Sequence, residues 1–463
     1  MKLKRIQKSE LLLMGLRLIV YGGVFLCFFG LMAINNFQMR RPSRTLAITL
    51  MTFVAMAFAM NAVYGGYAVG KKKSKPVISS MSLSVIITDL VTYLEFQIMN
   101  VNNANHQRLE LFNEDFWLLL LCIVLQVLLI IFWVRLGNNM YFRINPPQSC
   151  CLVMGPGTSE EAVLRKIGRY RLQYQVDRVV DSQSVRLKEA ILASDTVFLC
   201  GVPENRRNSL LTFCYQYQKN VLCLAQMEDI MVSNAKQVIL DDAPFLEMEY
   251  RHLTNAQRFA KRTLDLVISL PAMIILSPIF LVVALAIKLD DGGPIFFRQN
   301  RATIGGKVFK IFKFRTMTCS ACEAKEQVSA SEQDSRITRV GHFLRKCRVD
   351  ELPQLLNVIK GDMSLVGPRP EMLENVTKYK KELPAFAYRE KMKAGITGYA
   401  QIEGKYNTTP QDKLMLDLTY IESYSVWLDI KLLFRTLTVF FKPDSTEGFQ
   451  PAVQAEEKQA AKG

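Results

Sequence analysis

Long apolar runs and mixed stretches alternate along this chain and divide it before any motif is considered. Four apolar runs, residues 11–34, 46–67, 81–99 and 116–136, crowd the first 140 residues. Each has roughly the 20 residues that carry a helix across about 30 Å of hydrocarbon. Asp89 and Glu95 interrupt the third. The first follows a long basic leader and has no clear small-residue cleavage site, so a removable signal peptide is not expected. From about residue 149 to 249 the runs become short (150–154, 196–200, 221–224) and alternate with helical periodicity, as in a soluble α/β unit. A fifth long run, 264–289, contains Pro271 and the pair Ser277, Pro278, which predict a bend near its centre.

Composition and charge sharpen this division. At 463 residues the chain suggests about three domains. Half of the residues are hydrophobic while the net charge is +16, which fits a membrane protein working beside anionic lipid or phosphorylated substrates. The basic residues lie next to apolar segments and form neither an arm nor a recognition motif, so nucleic-acid binding is not expected. Lys2, Lys4, Arg5 and Lys8 precede the first run, lysines at 71–75 separate the second and third, and Arg135 and Arg143 follow the fourth. Both ends of the first four helices should therefore face the cytoplasm, although Arg40, Arg41 and Arg44 run counter. Lys288, Arg298 and Arg301 lie beyond the fifth run, and basic residues precede it as well. A helix that enters, breaks at Ser277 and Pro278 and returns to the same face fits this pattern; a kinked ordinary span is the alternative.

The ten cysteines are scattered, two of them (Cys27 and Cys122) within apolar runs, which indicates a reducing compartment rather than a disulfide framework. Cys319 and Cys322 form a lone CxxC near a single histidine, His342, and zinc is not expected there. With three histidines in all, acid, base or nucleophile work falls to carboxylates. In the α/β unit, Gly155, Pro156 and Gly157 stand where a dinucleotide-binding turn would lie, but Glu160 replaces the third glycine. Asp177 is at the spacing of a ribose contact. The expectation is a degenerate Rossmann-like domain with a structural or regulatory role.

Three clusters carry candidate chemistry. The first runs from Phe297 through Arg301 and a Gly305, Gly306 turn to Lys313, Phe314, Arg315, Thr316 and Met317, where basic and aromatic residues alternate as on a strand. A solvated amphipathic strand explains the alternation equally well. In the second, Arg345, Lys346 and Arg348 precede the adjacent Asp350 and Glu351. Asp350 could cap a helix that has Pro353 in its first turn, or the pair could hold Mg²⁺ against a diphosphate while one carboxylate attacks phosphorus. The third places Arg369 between Pro368 and Pro370, on stiff backbone suited to bidentate phosphate contact. After these, residues 426–442 mix Trp427, Phe434 and Phe440 with Lys431, Arg435 and Lys442, which suits an interfacial helix or core packing.

Taken together, residues from about 261 to 448 resemble the bacterial sugar transferases, the monotopic phosphoglycosyl transferases. The resemblance rests on Ser277–Pro278, Lys-Phe-Arg-Thr-Met at 313–317, Asp-Glu-Leu-Pro-Gln-Leu at 350–355, Gly361 through Pro370, and Gly-Ile-Thr-Gly-Tyr-Ala-Gln at 395–401. The preceding spans and α/β domain look like the long form of that family. The resemblance implies a membrane protein of mixed α and α/β class: four transmembrane helices (1–145), the Rossmann-like domain (146–250), a catalytic domain (251–448) with a re-entrant helix at 264–289, and a disordered tail (449–463). It implies transfer of a hexose-1-phosphate from a UDP-sugar to undecaprenyl phosphate, on the cytoplasmic face of a bacterial inner membrane, at the first membrane step of exopolysaccharide or capsule assembly. Asp350 would be the nucleophile and Glu351 a ligand to Mg²⁺ beside it. Lys313, Arg345 and Arg369 would bind substrate phosphate, with Arg301 and Arg315 in support. The oligomeric state stays open, a homodimer included. Rival readings are a nucleotide-sugar sensor without turnover, a nicotinamide-dependent enzyme built on the middle domain, and a transporter.

Overall fold

The computed structural model describes residues 2–70, 72–101, 109–248, 253–318, 336–404 and 409–441, and it divides into two units, Met1–Ala225 and Gln226–Gly463. Cys319, Cys322, Lys442 and the expected tail lie outside the described residues.

The first unit begins with four long helices, α1 (Lys2–Asn35), α2 (Arg44–Tyr64), α3 (Ser74–Asn100) and α4 (Glu114–Ile144), one for each apolar run. Helix α1 packs on α4, α2 on α3, and α3 on α4. Their shared core takes Leu16, Val20, Val24, Phe28 and Met32 from successive turns of α1, with Phe53, Met81, Phe96, Leu119 and Ile130 from the others. Leu18, Leu26, Met51, Phe58, Trp117 and Phe132 remain exposed, so these helices are apolar on their outer faces as well. That distribution belongs to helices surrounded by lipid. Asn36 joins three of them: its amide donates to Asp115 Oδ2 at 3.0 Å, and Asn100 donates to its Oδ1 at 3.1 Å.

The rest of this unit alternates β1 (Gln148–Met154), α5 (Glu160–Gly168), β2 (Tyr174–Asp181), α6 (Leu187–Leu192), β3 (Thr196–Cys200), α7 (Glu204–Gln216) and β4 (Asn220–Cys223). The strands form one parallel sheet in the order β2-β1-β3-β4. Asp177 does not reach the Gly155–Gly157 turn. It lies partway along β2 and its Oδ2 accepts from Ser149 Oγ at 2.5 Å, at the opposite end of β1 from the glycines. At the carboxyl ends of β1 and β3, Gly155 approaches the backbone of Gly201 so closely that a Cβ would meet its carbonyl. The helices that follow begin with Glu160, Glu161 and Glu204. Carboxylates at helix N-termini repel an incoming diphosphate.

The second unit contains α8 (Met227–Val232), a hairpin of β5 (Lys236–Leu240) and β6 (Ala243–Glu247), the long α9 (Asn255–Asp291), and the antiparallel pair β7 (Phe296–Ala302) and β8 (Val308–Phe314). There follow α10 (Arg339–Lys346), α11 (Gln354–Lys360), β9 (Ser364–Val366), α12 (Leu373–Glu382), β10 (Gly395–Thr397), α13 (Tyr399–Glu403), α14 (Pro410–Glu422) and α15 (Val426–Thr436). Strands β9 and β10 pair in parallel. Val358, Met363, Leu365, Phe386, Leu414, Leu418 and Leu432 build the core, and Ile230 of α8 joins it, so this unit begins ahead of residue 251. Within α15, Leu432 and Asp429 are buried and Trp427 is half exposed.

Among the described residues five helices, α1 to α4 and α9, are long and apolar enough to cross a membrane. The expected interruption of α9 is not a break in its helical structure: one helix runs from 255 to 291 with Pro271 and Pro278 inside it. A proline has no N–H to give the carbonyl four residues back, which for Pro278 is that of Ile274. Ser277 Oγ donates to that carbonyl at 2.7 Å, so the adjacent hydroxyl takes the missing bond. Ile274, Ile275, Leu281, Val282 and Leu285 are exposed around this point.

Both ends of α9 are fastened to the same unit. Near its start, Arg262 donates to Val358 O and Ile359 O at 2.6 Å each, on the last turn of α11. At its end, Asp291 pairs with both terminal nitrogens of Arg315, which is 3% exposed and also donates to Pro294 O at 2.7 Å. Val283 and Ile287 pack there against Phe314 and Leu344. Replacing Asp291 with Ala takes its carboxylate away from a buried guanidinium and is expected to cost about 3–5 kcal/mol. Thermal melts of the purified variant check this, and a loss below about 1 kcal/mol would show the pair to be dispensable.

Candidate functional site

Three segments of the second unit meet at one carboxylate. Strand β8 alternates, so that Phe309 and Ile311 point into the core and Lys313 continues the same face toward the surface. Asn357 docks α11 against this strand: its Nδ2 donates to Lys310 O at 2.8 Å and its Oδ1 accepts from Phe312 N–H at 2.9 Å. Two residues beyond the end of α10, Arg348 has a φ of 54°, in the left-handed region, and the reversal leads into a short 3-10 turn, Val349–Glu351. Residues other than glycine, asparagine and aspartate seldom take this conformation. No side chain caps α11, so Asp350 is not spent as its N-cap.

Glu351 Oε1 accepts from Lys313 Nζ at 2.7 Å and from Arg369 Nη2 at 2.8 Å. Burial pushes the Glu351 carboxyl up, but Arg369 and Lys313 more than offset this and hold it well below the usual carboxylate range. Asp350 has the opposite balance. Burial raises it above its ordinary value despite Lys313, Arg345 and Arg369 nearby, and the charge on Glu351 pushes it the same way. Among the described residues no hydrogen bond holds the Asp350 carboxylate. A half-desolvated carboxylate without a bonded partner, amid cations, has the properties of a nucleophile or base.

The loop that carries Arg369 is clamped through its backbone. Val366 O accepts from Lys261 Nζ at 2.9 Å, Pro368 O from Gly395 N–H at 2.9 Å, and Arg369 O from Arg389 Nη2 at 2.9 Å. Pro370 O accepts from Arg301 Nη1 at 3.2 Å and Glu371 O from Ala302 N–H at 3.4 Å. Gly367 is required by close approach, since a Cβ there would meet Lys393 O at 2.3 Å. The Arg369 side chain is 45% exposed, open to a ligand while its base is fixed.

The structure thus brings together Lys313, Asp350, Glu351 and Arg369. Arg345 joins them electrostatically, with its Nε donating to Thr316 Oγ1 at 2.9 Å. Arg301 is partly buried, and desolvation lowers it to about 10; it bonds Pro370 O and Gln299 Oε1. It supports the loop from behind. Arg315 is committed to Asp291 and Pro294 at the end of α9, and Ser277 and Pro278 lie within α9. Sequence reasoning missed Arg389, paired with buried Asp417 at 2.6 Å, as well as Asn357 and Lys261. Nothing in the local sequence separates these from ordinary charged or polar positions, because each acts on a partner far along the chain.

Residues 256–443 match the family model described as bacterial sugar transferase. A UDP-N-acetylgalactosamine-undecaprenyl-phosphate N-acetylgalactosaminephosphotransferase of Aeromonas hydrophila is 42% identical over 182 residues, 39% of this chain and 43% of that protein. A UDP-glucose:undecaprenyl-phosphate glucose-1-phosphate transferase of Escherichia coli K12 is 36% identical over 226 residues, 48% of each chain. One of the same description from Caulobacter vibrioides is 42% identical over 190 residues, 40% of this chain and 71% of that protein. The chain spans about half the length of the first two.

The two carboxylates should affect stability with opposite signs. Glu351, held low, contributes stability that is complete above the unfolded value of about 4.3 and is lost as pH falls through its lower folded value. Asp350, held high, costs stability that is absent below about 3.9 and complete once pH has risen through its folded value. At neutral pH Glu351→Gln is therefore expected to lose about 1–3 kcal/mol and Asp350→Asn to gain melting temperature. Melts of both variants at neutral pH check the signs; a stabilised Glu351→Gln would contradict the shared-acceptor geometry.

Proposed function

This chain belongs to the bacterial sugar transferase family, and we propose that its second half transfers a hexose-1-phosphate from a UDP-sugar to undecaprenyl phosphate and releases UMP. The observation that carries this reading is the pairing of two neighbouring carboxylates with opposite roles. Glu351 is neutralised by Lys313 and Arg369, and the Asp350 carboxylate beside it takes no hydrogen bond from the described residues while lying among the same cations.

In the first step an Asp350 oxygen attacks the sugar-bearing β-phosphorus. A new P–O bond forms to the carboxylate, the bond from phosphorus to the bridging oxygen breaks, and UMP departs with that electron pair. In the second, a phosphate oxygen of undecaprenyl phosphate attacks the same phosphorus, and the bond to Asp350 breaks to restore the carboxylate. Lys313, Arg345 and Arg369 offset charge on the phosphoryl oxygens throughout. Arg301 and Arg389 act on Arg369 through the carbonyls of Pro370 and Arg369. Asp350 and Glu351 are adjacent hard oxygen donors, a set that suits Mg²⁺ bound through one or two carboxylates and substrate phosphates, where it would supply charge neutralisation on the diphosphate.

The proposed location rests on α9. Both of its ends are tied to one folded unit, and Arg262 and Arg315 are joined through that unit by α11 and the single strand β8. A full crossing would separate them by about 30 Å of hydrocarbon. The reading supported by this is a re-entrant helix on the cytoplasmic face of the inner membrane, with Ser277 and Pro278 at its deepest point. The four-stranded sheet of the first unit is read as Rossmann-like without a nucleotide role, given the glutamates at its helix starts and the Gly155–Gly201 contact.

The test is UMP release from a panel of UDP-sugars by detergent-solubilised protein with Mg²⁺ and undecaprenyl phosphate. Asp350→Asn is expected to abolish release, and Arg369→Ala to slow it by about 10²-fold. Without acceptor, wild type should accumulate a phosphosugar adduct on Asp350, detectable by intact mass. The acid limb of kcat/KM should lie above the ordinary aspartate value of about 3.9, because Asp350 must lose its proton to attack. Native turnover by Asp350→Asn would sink the nucleophile assignment, and no release with any donor would favour a sensor without turnover.

A further inference from the structure

The base of α9 touches both arms of the site, and a buried ion pair sets one of those contacts. Lys261 is 5% exposed, and its ammonium uses three donors: to Asp429 Oδ2 at 2.6 Å, to Val366 O at 2.9 Å and to Tyr420 OH at 3.1 Å. Tyr420, fully buried, donates to the other oxygen of Asp429 at 2.7 Å. One helical turn on, Asp265 Oδ1 accepts from Ser364 Oγ and from Leu365 N–H, each at 2.9 Å. Lys261 and Asp265 therefore grip consecutive residues of β9, the strand that runs directly into Gly367, Pro368 and Arg369. Arg262, on the neighbouring face of α9, holds the last carbonyls of α11, the helix that follows Asp350 and Glu351.

An isolated ammonium and carboxylate buried at this depth are expensive, and apolar residues of similar volume would stabilise the fold at least as well. The pair is thus poorly explained as a source of stability. What it supplies is direction: a backbone carbonyl three residues before Arg369 is fixed to the helix that enters the membrane.

We infer that Lys261 is a positioning residue for the transfer reaction: with Asp429 and Tyr420 it locks the end of β9 to the base of α9, keeping Arg369 in contact with Glu351 beside Asp350. The inference rests on the transferase reading above and extends it, because the seating of α9 in lipid then reaches the phosphate-binding arginine through one carbonyl. Arg389 and Arg301 fix the far side of the same loop, and the Lys261 cluster fixes its near side.

The test uses full-length protein carrying Lys261→Met together with Asp429→Asn, which removes both charges so that neither is stranded. Melting near that of wild type is expected with a kcat for UMP release lowered at least about tenfold, since small displacements of positioning groups are costly in rate. The distinguishing measurement is a cycle with Arg369→Ala. If the cluster acts through Arg369, the pair of substitutions adds little further loss in the Arg369→Ala background. Native kcat in the paired variant, or losses that multiply, would overturn the inference. Should the paired variant fail to fold, Tyr420→Phe, which deletes one hydroxyl of the cluster, takes its place in the same cycle with the same reading. Hydrogen exchange decides the matter independently of turnover: faster exchange at residues 366–370 in the variant supports the inference, and unchanged protection there overturns it. If wild type itself releases no UMP, the transferase reading fails on its own account, and exchange alone rules on Lys261.

Discussion

A single carboxylate oxygen, Oε1 of Glu351, organises the candidate site of the second unit. It accepts from Lys313 on β8 and from Arg369 on the loop after β9, segments that are remote in sequence and share no strand pairing. Without that acceptor two cations would face each other across a partly buried cleft. With it, their charge is partly neutralised, and what remains is directed at Asp350, one residue earlier on a turn that no helix cap claims. The two carboxylates of an adjacent pair thereby acquire different electrostatic histories, which is how one fold assigns different tasks to chemically similar groups.

The rest of the unit reads as a set of braces on this junction. Arg389, Arg301 and Lys261 each give donors to a carbonyl of the loop between Val366 and Glu371, so two buried cations and one partly buried set the position of a more exposed one. Gly367 and Gly395 allow the strands to approach closely enough for these bonds to form. Asn357 performs the same service for β8, its side-chain amide substituting for a neighbouring strand.

Much of this was legible in the sequence, and the remainder was hidden for physical reasons. Apolar runs report helices by length alone, and the four at the start became α1 to α4. The short apolar run at 150–154 became a buried strand. Proline was a poorer guide: Pro271 and Pro278 remove donors but do not stop a helix whose neighbouring serine can supply one, so the interruption expected at Ser277 exists as a repaired bond. The clusters around Lys313, Asp350 and Arg369 announced a site, but composition could not apportion tasks within them. Lys313 and Arg315 stand two residues apart at the end of β8, yet one bonds Glu351 and the other is locked to Asp291. Only the partner's position, set by the far end of a 37-residue helix, separates them.

That helix has a further consequence for how this half of the protein relates to its membrane. Read as the re-entrant segment proposed above, a helix bound at both ends to one body would present its apolar middle to lipid without delivering any polar chain to the opposite leaflet. It therefore needs no match between its own length and the thickness of the bilayer, the constraint that tilts, stretches and sorts ordinary spans. On the proposed topology the four helices of the first unit would be subject to that constraint and α9 would not, so bilayers of different thickness would strain one half of this chain and leave the geometry of the other unchanged.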